Sequence, residues 1–220
     1  KTQRIEASPI VNLENGASGN IVVGSPSNPI MNLCEFNGEV VVLNLSSINL
    51  IRVWQGVMQA PIETPAKRGL LASFAWCKVG NSIWYLSYDG IYSWEGGQEQ
   101  KRSEAINPMF LGETVNGILP MDMNPGDGTP GDANNALQYV NFEYHNHEVN
   151  IVYRDTGGNT RRLRYSIIYD RWYLRDDGVG IGETGLCAVN AMHLDRDTGT
   201  LVLGKYITSS GRTFIEYDDL

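Results

Sequence analysis

Cysteine is scarce in this chain. Cys34, Cys77 and Cys187 are the only three in 220 residues, and none stands in a C-x-x-C pair. An odd number so widely spaced excludes a fully paired disulfide framework and offers no zinc-site spacing. The expected state is free, buried thiols in a reducing compartment. Charge is also thin, at 19% Asp, Glu, Lys and Arg against about 25% in ordinary globular domains. Only 17 residues are basic against 25 acidic, a net charge of −8. That denies the chain the basic field on which non-specific nucleic-acid binding relies. The one basic cluster, Arg161, Arg162 and Arg164, is local and reads as strand-surface charge. No run of 18 apolar residues appears, so no helical membrane span is expected. Heptads of Ala, Glu, Lys and Leu are lacking too, which excludes a coiled coil.

Turn residues and aromatics are what the chain has in quantity. Gly contributes 24 residues, Tyr 11 and Trp 5. The aromatics argue against disorder. The Gly, Asn, Ser and Thr argue for turns over helices. Period-2 runs of β-branched and aromatic residues recur at 39–45, 49–54, 82–87, 88–94, 149–153, 162–165, 167–174, 191–194, 200–207 and 213–217. Strands of about five or six residues at this density mean antiparallel sheet. Asp89-Gly90 between two such runs predicts a type I′ hairpin turn. A short helical turn is expected over 102–106, interrupted at Asn107-Pro108. Residues 119–136, with Pro120, Pro125 and Pro130, read as an exposed irregular insertion.

A repeat underlies the hairpins. Aromatic strand ends fall at Trp54, Trp94, Trp172 and Tyr217, about 40, 78 and 45 residues apart. The middle step is two repeats, or one repeat plus the insertion. Units of about 40–45 residues built of about four short strands are the mark of a β-propeller blade. The expected fold is therefore all-β, with antiparallel short-strand hairpins forming a β-propeller or part of one. An irregular sandwich is the competing reading. Residues 1–220 are expected to form one propeller-like domain. The chain opens at Lys1 without an initiator Met and is expected to be processed or a piece of something longer. At blade length 220 residues hold about five units. Residues 1–38 either complete a blade or run as an arm.

Candidate chemical sites are few, and each has a plainer explanation. Gly180, Gly182 and Gly185 fit G-x-G-x-x-G, but a turn precedes them where a dinucleotide site needs a hydrophobic strand. His145 and His147 would share a strand face and chelate a metal, unless Asn146 places them in a turn. Asp195, Asp197 and Gly199 resemble a calcium loop, as do Asp122, Asn124, Asp127 and Gly128, but both ligand sets are incomplete. Asp and Asn favour such turns without a metal. Ser87-Tyr88-Asp89-Gly90 with Trp94 is similar to the Asp-box hairpin of sialidase-like propellers, though the Gly follows the Asp directly. The aromatics read chiefly as packing between sheets, with Trp172 filling the space between neighbours. No G-x-S-x-G elbow is present, and no Cys lies beside a base in sequence. No catalytic, cofactor or metal residue is assigned.

Three stretches resemble β-propeller structural proteins of tailed bacteriophages, the head-completion, neck and tail-nozzle components. One is the hairpin of residues 79–94, followed by Ser103-Glu104-Ala105-Ile106-Asn107-Pro108 where the family has a Ser-x-x-Ile-x-Pro-like segment. Another runs from Tyr144 to Trp172 and ends in Tyr-Asp-x-Trp. The third is the hairpin of residues 194–204. The resemblance implies a virion structural protein of the head–tail connection or tail channel, assembled in the host cytoplasm and not an enzyme. It implies a homo-oligomeric ring with portal, adaptor or tail proteins as neighbours. DNA would pass nearby without sequence-specific binding, and an acidic wall suits such sliding. The alternative is a carbohydrate-binding or glycan-processing propeller with aromatics as sugar platforms. A cellular protein-interaction scaffold is a third option.

Overall fold

The computed structural model describes residues 4–7, 19–127, 132, 134–175, 187–195, 197–207 and 212–218. They form an all-β chain of small antiparallel sheets that follow one another in sequence. β1 (Arg4–Ala7) and β2 (Gly19–Val22) pair as a short ladder. Sheet I begins with β3 (Ile30–Phe36), β4 (Glu39–Asn44) and β5 (Ile48–Ile51). β6 (Val53–Trp54) and β7 (Val57–Met58) then form a separate hairpin. β8 (Ile62–Glu63) returns to pair with β5 and complete the sheet.

Sheet II is β9 (Trp76–Val79), β10 (Ser82–Ser87), β11 (Gly90–Trp94) and β12 (Gln100–Lys101). Sheet III is β13 (Asn141–His145), β14 (Glu148–Arg154), β15 (Thr160–Ser166) and β16 (Arg171–Arg175). Sheet IV is β17 (Cys187–Asp195), β18 (Thr200–Ile207) and β19 (Arg212–Asp218). Three successive four-strand meanders are the blade plan of a propeller. First strands begin at Ile30, Trp76, Asn141 and Cys187. They are spaced about 46, 65 and 46 residues apart, near blade length, and the long step contains the 119–136 insertion.

The first strands are neighbours across the sheets. β13 lies against β9 on one side and β17 on the other. β3 reaches β9 through the Glu35–Lys78 ion pair at 3.2 Å. Successive sheets bury their faces on each other. Phe36 of sheet I meets Trp94 of sheet II with centroids 5.3 Å apart. Between sheets II and III, the Tyr165 ring lies 5.0 Å from Trp84 and 4.9 Å from Trp172. The Trp172 indole donates to the Arg102 carbonyl at 3.1 Å. Arg102 in turn covers the Trp84 ring at 5.4 Å. Val152 with Met192, Leu201 and Leu203 joins sheets III and IV.

Several sequence expectations change. The loop joining β10 to β11 is Tyr88-Asp89, because Ser87 pairs with Gly90. Gly90 therefore sits just beyond the turn, at φ 146°, and the turn is not type I′. Positive φ at both central residues instead marks Asn37-Gly38, Gln55-Gly56, Asn116-Gly117 and Asn146-His147, the I′ requirement. Gly90 is still needed, for a different reason. A Cβ there would overlap the Ser103 hydroxyl and lie 2.8 Å from Lys101 Cε. That hydroxyl accepts the Ile91 N–H at 2.9 Å. Gly90→Val is expected to cost about 2–3 kcal/mol in urea unfolding through overpacking and backbone strain. An unchanged midpoint would contradict the close approach.

Residues 167–170 form a turn, with Asp170 at φ 51°, and β16 starts only at Arg171. The segment expected to break at Asn107-Pro108 runs on as 3-10 turns over Glu104–Phe110, with its kink at Ile106 instead. Pro108 is tolerated because 3-10 turns this short leave few N–H groups in need of an acceptor. A second 3-10 turn, Ala136–Tyr139, is capped by the Asn135 side chain, which accepts from the Gln138 N–H. Trp54 is 69% exposed on the β6–β7 hairpin, whereas Trp94 is fully buried. The two do not mark equivalent places. The repeat belongs to the first strands and not to these rings.

Candidate functional site

The carboxylates of Asp89, Asp155 and Asp195 are all hydrogen-bonded within the chain. Asp89, in the β10–β11 loop, takes a two-pronged ion pair from Arg68, with Nε 3.0 Å and Nη2 2.9 Å away. The Tyr92 hydroxyl adds a third donor at 3.0 Å. The Arg68 guanidinium above all holds the Asp89 carboxyl below the usual carboxylate range; burial opposes it, and the Tyr92 hydroxyl helps to a lesser degree. Arg68 also approaches Glu99 at 3.5 Å and the Tyr92 ring at 5.0 Å. This cluster fastens the hairpin tip to the segment that connects sheets I and II. It occupies the place of the Asp-box-like motif, and Trp94 lies buried in the sheet behind it.

The depressed Asp89 pKa has a consequence for stability. The ionised form is favoured in the folded chain, so its contribution is present at neutral pH and is lost as pH falls through the folded pKa. Asp89→Asn is expected to cost about 0.5–1 kcal/mol at pH 7, since both partners are partly exposed and solvent-screened. The gap to the native chain should close on acidification, measured as urea midpoints across a pH series. A gap that persists at the acidic end would contradict the ion pair.

Asp155 is the counterpart on sheet III, in the β14–β15 turn, and its side chain is fully buried. One carboxylate oxygen accepts from the N–H groups of Gly157 at 2.9 Å and Asn159 at 2.8 Å. The other accepts from Arg161 Nε at 2.8 Å. Asp195 likewise closes its own turn, accepting from the Asp197 N–H at 3.0 Å and the Thr198 hydroxyl at 2.8 Å. In the insertion, Asp122 accepts from the Asn124 N–H, Asn124 from the Gly126 N–H, and Asp132 from the N–H groups of Asp127 and Asn134. The contacts to the N–H two residues on, at Asp122, Asn124, Asp132 and Asp195, are Asx turns, the plainer explanation of the calcium-like spacings. Gly128 and the glycine motif from Gly180 to Gly185 lie outside the described residues.

His145 ends β13, and His147 lies in the turn at φ 61°, so the two do not share a strand face. Among the described residues no group of three or more His, Cys, Asp or Glu is placed to hold a metal. Cys34 is half-buried and Cys77 buried, both as free thiols. Burial pushes the Cys34 thiol up to about 12, with Lys78 opposing and Glu35 assisting. Burial also raises Cys77. Thiols so held are inert at neutral pH.

Among the apolar surface features of the described residues, two lie at opposite ends of sheet I. The first is a cleft of about 290 Å³ whose lining combines apolar residues such as Met31, Leu71, Phe74 and Leu137 with the polar Asn135 and Gln138. Phe74 stands at its rim, 64% exposed. The insertion and its 3-10 turn supply one wall. On either side of it Met121 and Leu137 are buried, and the Thr156 N–H bonds the Pro120 carbonyl at 3.0 Å. The second feature is the β6–β7 hairpin. Arg52 pairs with Glu39 at 2.6 Å at the edge of sheet I. Beyond that pair β6 and β7 bond only to each other; Met58 packs against the Val23–Val42–Ile51 cluster, and Val53, Trp54 and Val57 are exposed. Composition marked neither feature. Gln55-Gly56, set between apolar residues, was the legible sign of the hairpin, whereas the cleft needs three distant segments together.

No protein-family model matches the chain, and no match was found among curated proteins. Among solved structures, the chain is similar to a GH74 xyloglucanase from Xanthomonas campestris at 12% identity and a TM-score of 0.42. That alignment covers 86% of this chain and 36% of the other. It is also similar to the extracellular domain of a one-component system from B. thetaiotaomicron, at 10% identity and a TM-score of 0.41. There it covers 86% of this chain and 22% of the other. The chain thus spans well under two thirds of both. No helix among the described residues is long and apolar enough to cross a membrane.

Proposed function

We propose that this chain is a structural assembly protein whose copies pack into a ring, as part of the head–tail connection or tail channel of a tailed-phage virion. The observation that carries the assembly reading is the β6–β7 hairpin, which packs Met58 on sheet I and leaves Val53, Trp54 and Val57 exposed. An exposed indole beside two exposed valines is the kind of apolar surface that contact sites use. The commitment of Asp89, Asp155 and Asp195 to turn hydrogen bonds supports a scaffolding role over a reaction. The phage placement rests on the resemblance of the three hairpin stretches. The net charge of −8 suits a wall past which DNA slides. In this reading portal, adaptor or tail proteins are the neighbours, and the virion is the location.

Negative-stain images of the purified protein test the ring, with closed rings of uniform diameter expected and dispersed small particles counting against it. A glycan-binding propeller is the second reading, favoured by the exposed rings of Trp54 and Tyr169. Binding on a glycan array would support it in place of the assembly reading.

A further inference from the structure

We infer that two copies of this chain pair edge to edge through β19, antiparallel, about a twofold axis at Ile215. Sheets I to III each have four strands, whereas sheet IV has three among the described residues. Its outer strand, β19, bonds β18 along one side, and no strand lies along its other side among those residues. A strand edge of that kind is a template for pairing. The other sheets protect their outer edges. β8 and β12 are only two residues long, and β16 begins and ends in arginine, at Arg171 and Arg175. β19 runs for seven residues, and Ile215 at its centre is 64% exposed. Ile215 is paired with Gly204 of β18, so the residue directly opposite offers no side chain to cover it.

The order of residues in β19 selects a second copy as the occupant. Antiparallel pairing centred on Ile215 sets Arg212 opposite Asp218, Thr213 opposite Tyr217, Phe214 opposite Glu216 and Ile215 opposite itself. All seven residues are then paired, and the twofold axis makes the Arg212–Asp218 juxtaposition twice. Opposite charges at facing register positions favour a strand pair, and like charges disfavour it. Other registers are poorer. A shift of two residues one way sets Glu216 against its own copy, and a shift the other way carries Asp218 past the end of the facing strand. β16 supplies the contrast. The same operation centred on Tyr173 would set Arg171 opposite Arg175, so that edge rejects its own copy. A contact in which one patch meets itself is isologous and closes at two copies. It joins sheet IV of both chains into one continuous sheet. It is separate from the β6–β7 surface and independent of the ring reading.

Two measurements test the pairing. The first is disulfide formation in Ile215→Cys, with diamide to accept the two thiol hydrogens. Residues facing each other across an antiparallel pair have Cα atoms about 4.5–5.5 Å apart, within the reach of a disulfide at about 4.4–6.8 Å. A covalent dimer is expected, beyond any formed by the native chain under the same treatment. The second is sedimentation equilibrium on Arg212→Asp, on Asp218→Arg and on their equimolar mixture, with circular dichroism to confirm the fold. Each variant alone sets like charges opposite one another twice, so its dimer dissociation constant should rise about tenfold. The mixture sets Asp opposite Arg at both places and should recover one-to-one dimers of native affinity. If the native chain assembles but Ile215→Cys does not cross-link and both charge variants assemble equally well, this contact is wrong and the assembly reading stands. If the charge variants dissociate and the mixture does not recover, the antiparallel register is wrong. Native dimers that pass both tests while no rings form would support the contact and count against the ring. A native chain that stays monomeric overturns the contact.

Discussion

Trp94→Ala should lower the unfolding free energy by about 3–5 kcal/mol, the cost of emptying a large buried aromatic site. Trp94 is fully buried at the end of β11. Its ring packs 5.3 Å from Phe36 across the junction of sheets I and II, and its indole donates to the Gly97 carbonyl at 2.7 Å. The cavity left by Ala would lie between two sheets that are each braced on other sides. Neither can close on it without shifting the Asp89–Arg68 cluster or the β3–β9 contact, so little relaxation is expected. Trp94→Phe separates packing from hydrogen bonding. It keeps most of the ring contact and loses the indole donor, so it should cost about 1–2 kcal/mol. Urea unfolding measures both. A Trp94→Ala cost under 1 kcal/mol would mean that sheets I and II do not share a core.

Asp155→Ala should cost about 2–4 kcal/mol, because it removes the buried partner of a half-exposed ion pair and the acceptor of two backbone N–H groups at once. The turn N–H groups of Gly157 and Asn159 would lose their acceptor, and Arg161 its carboxylate. The effect should spread to the insertion, since Met121 bridges to Asp155 and Thr156 bonds Pro120. Faster proteolysis within residues 120–135 is expected alongside the lower midpoint. Asp155→Asn keeps an acceptor for the turn and should cost less than half as much. Equal losses for Asn and Ala would place the whole effect in the charge and contradict the turn's role.

The all-β class was legible because period-2 runs bounded by Gly, Asn and Asp admit little else. The blade length was close, and the long central step contains residues 119–136. What failed was the marker. Trp54 and Trp94 both end apolar runs, but a strand that continues past its sheet looks in sequence like one that stays. Only the register, with Val40 on Ile51 and nothing on β4 beyond Glu39, separates them. β3 was missed although Asn37-Gly38 announced its hairpin, because its own residues, with Asn32, Cys34 and Glu35, alternate without strong β-branching. Residues 167–170 read as strand from Ile167 and Ile168. The short Asn146-His147 turn fixes the register of β13 and β14, and β15 ends at Ser166, where β14 begins.

The candidate surface was less legible than the fold. The cleft is assembled from β3, the link between sheets I and II, and the insertion, three segments with no local signature in common. The carboxylate motifs were visible, and their plainer meaning was the structural one. A turn that holds its Asp with backbone N–H groups uses the same spacing as a loop that holds a cation.

Sedimentation velocity of the native chain across the micromolar range tests the central claim most directly. The account predicts discrete species several times heavier than the 24.4 kDa chain, their share growing with concentration. A single 24.4 kDa species at every concentration would contradict it.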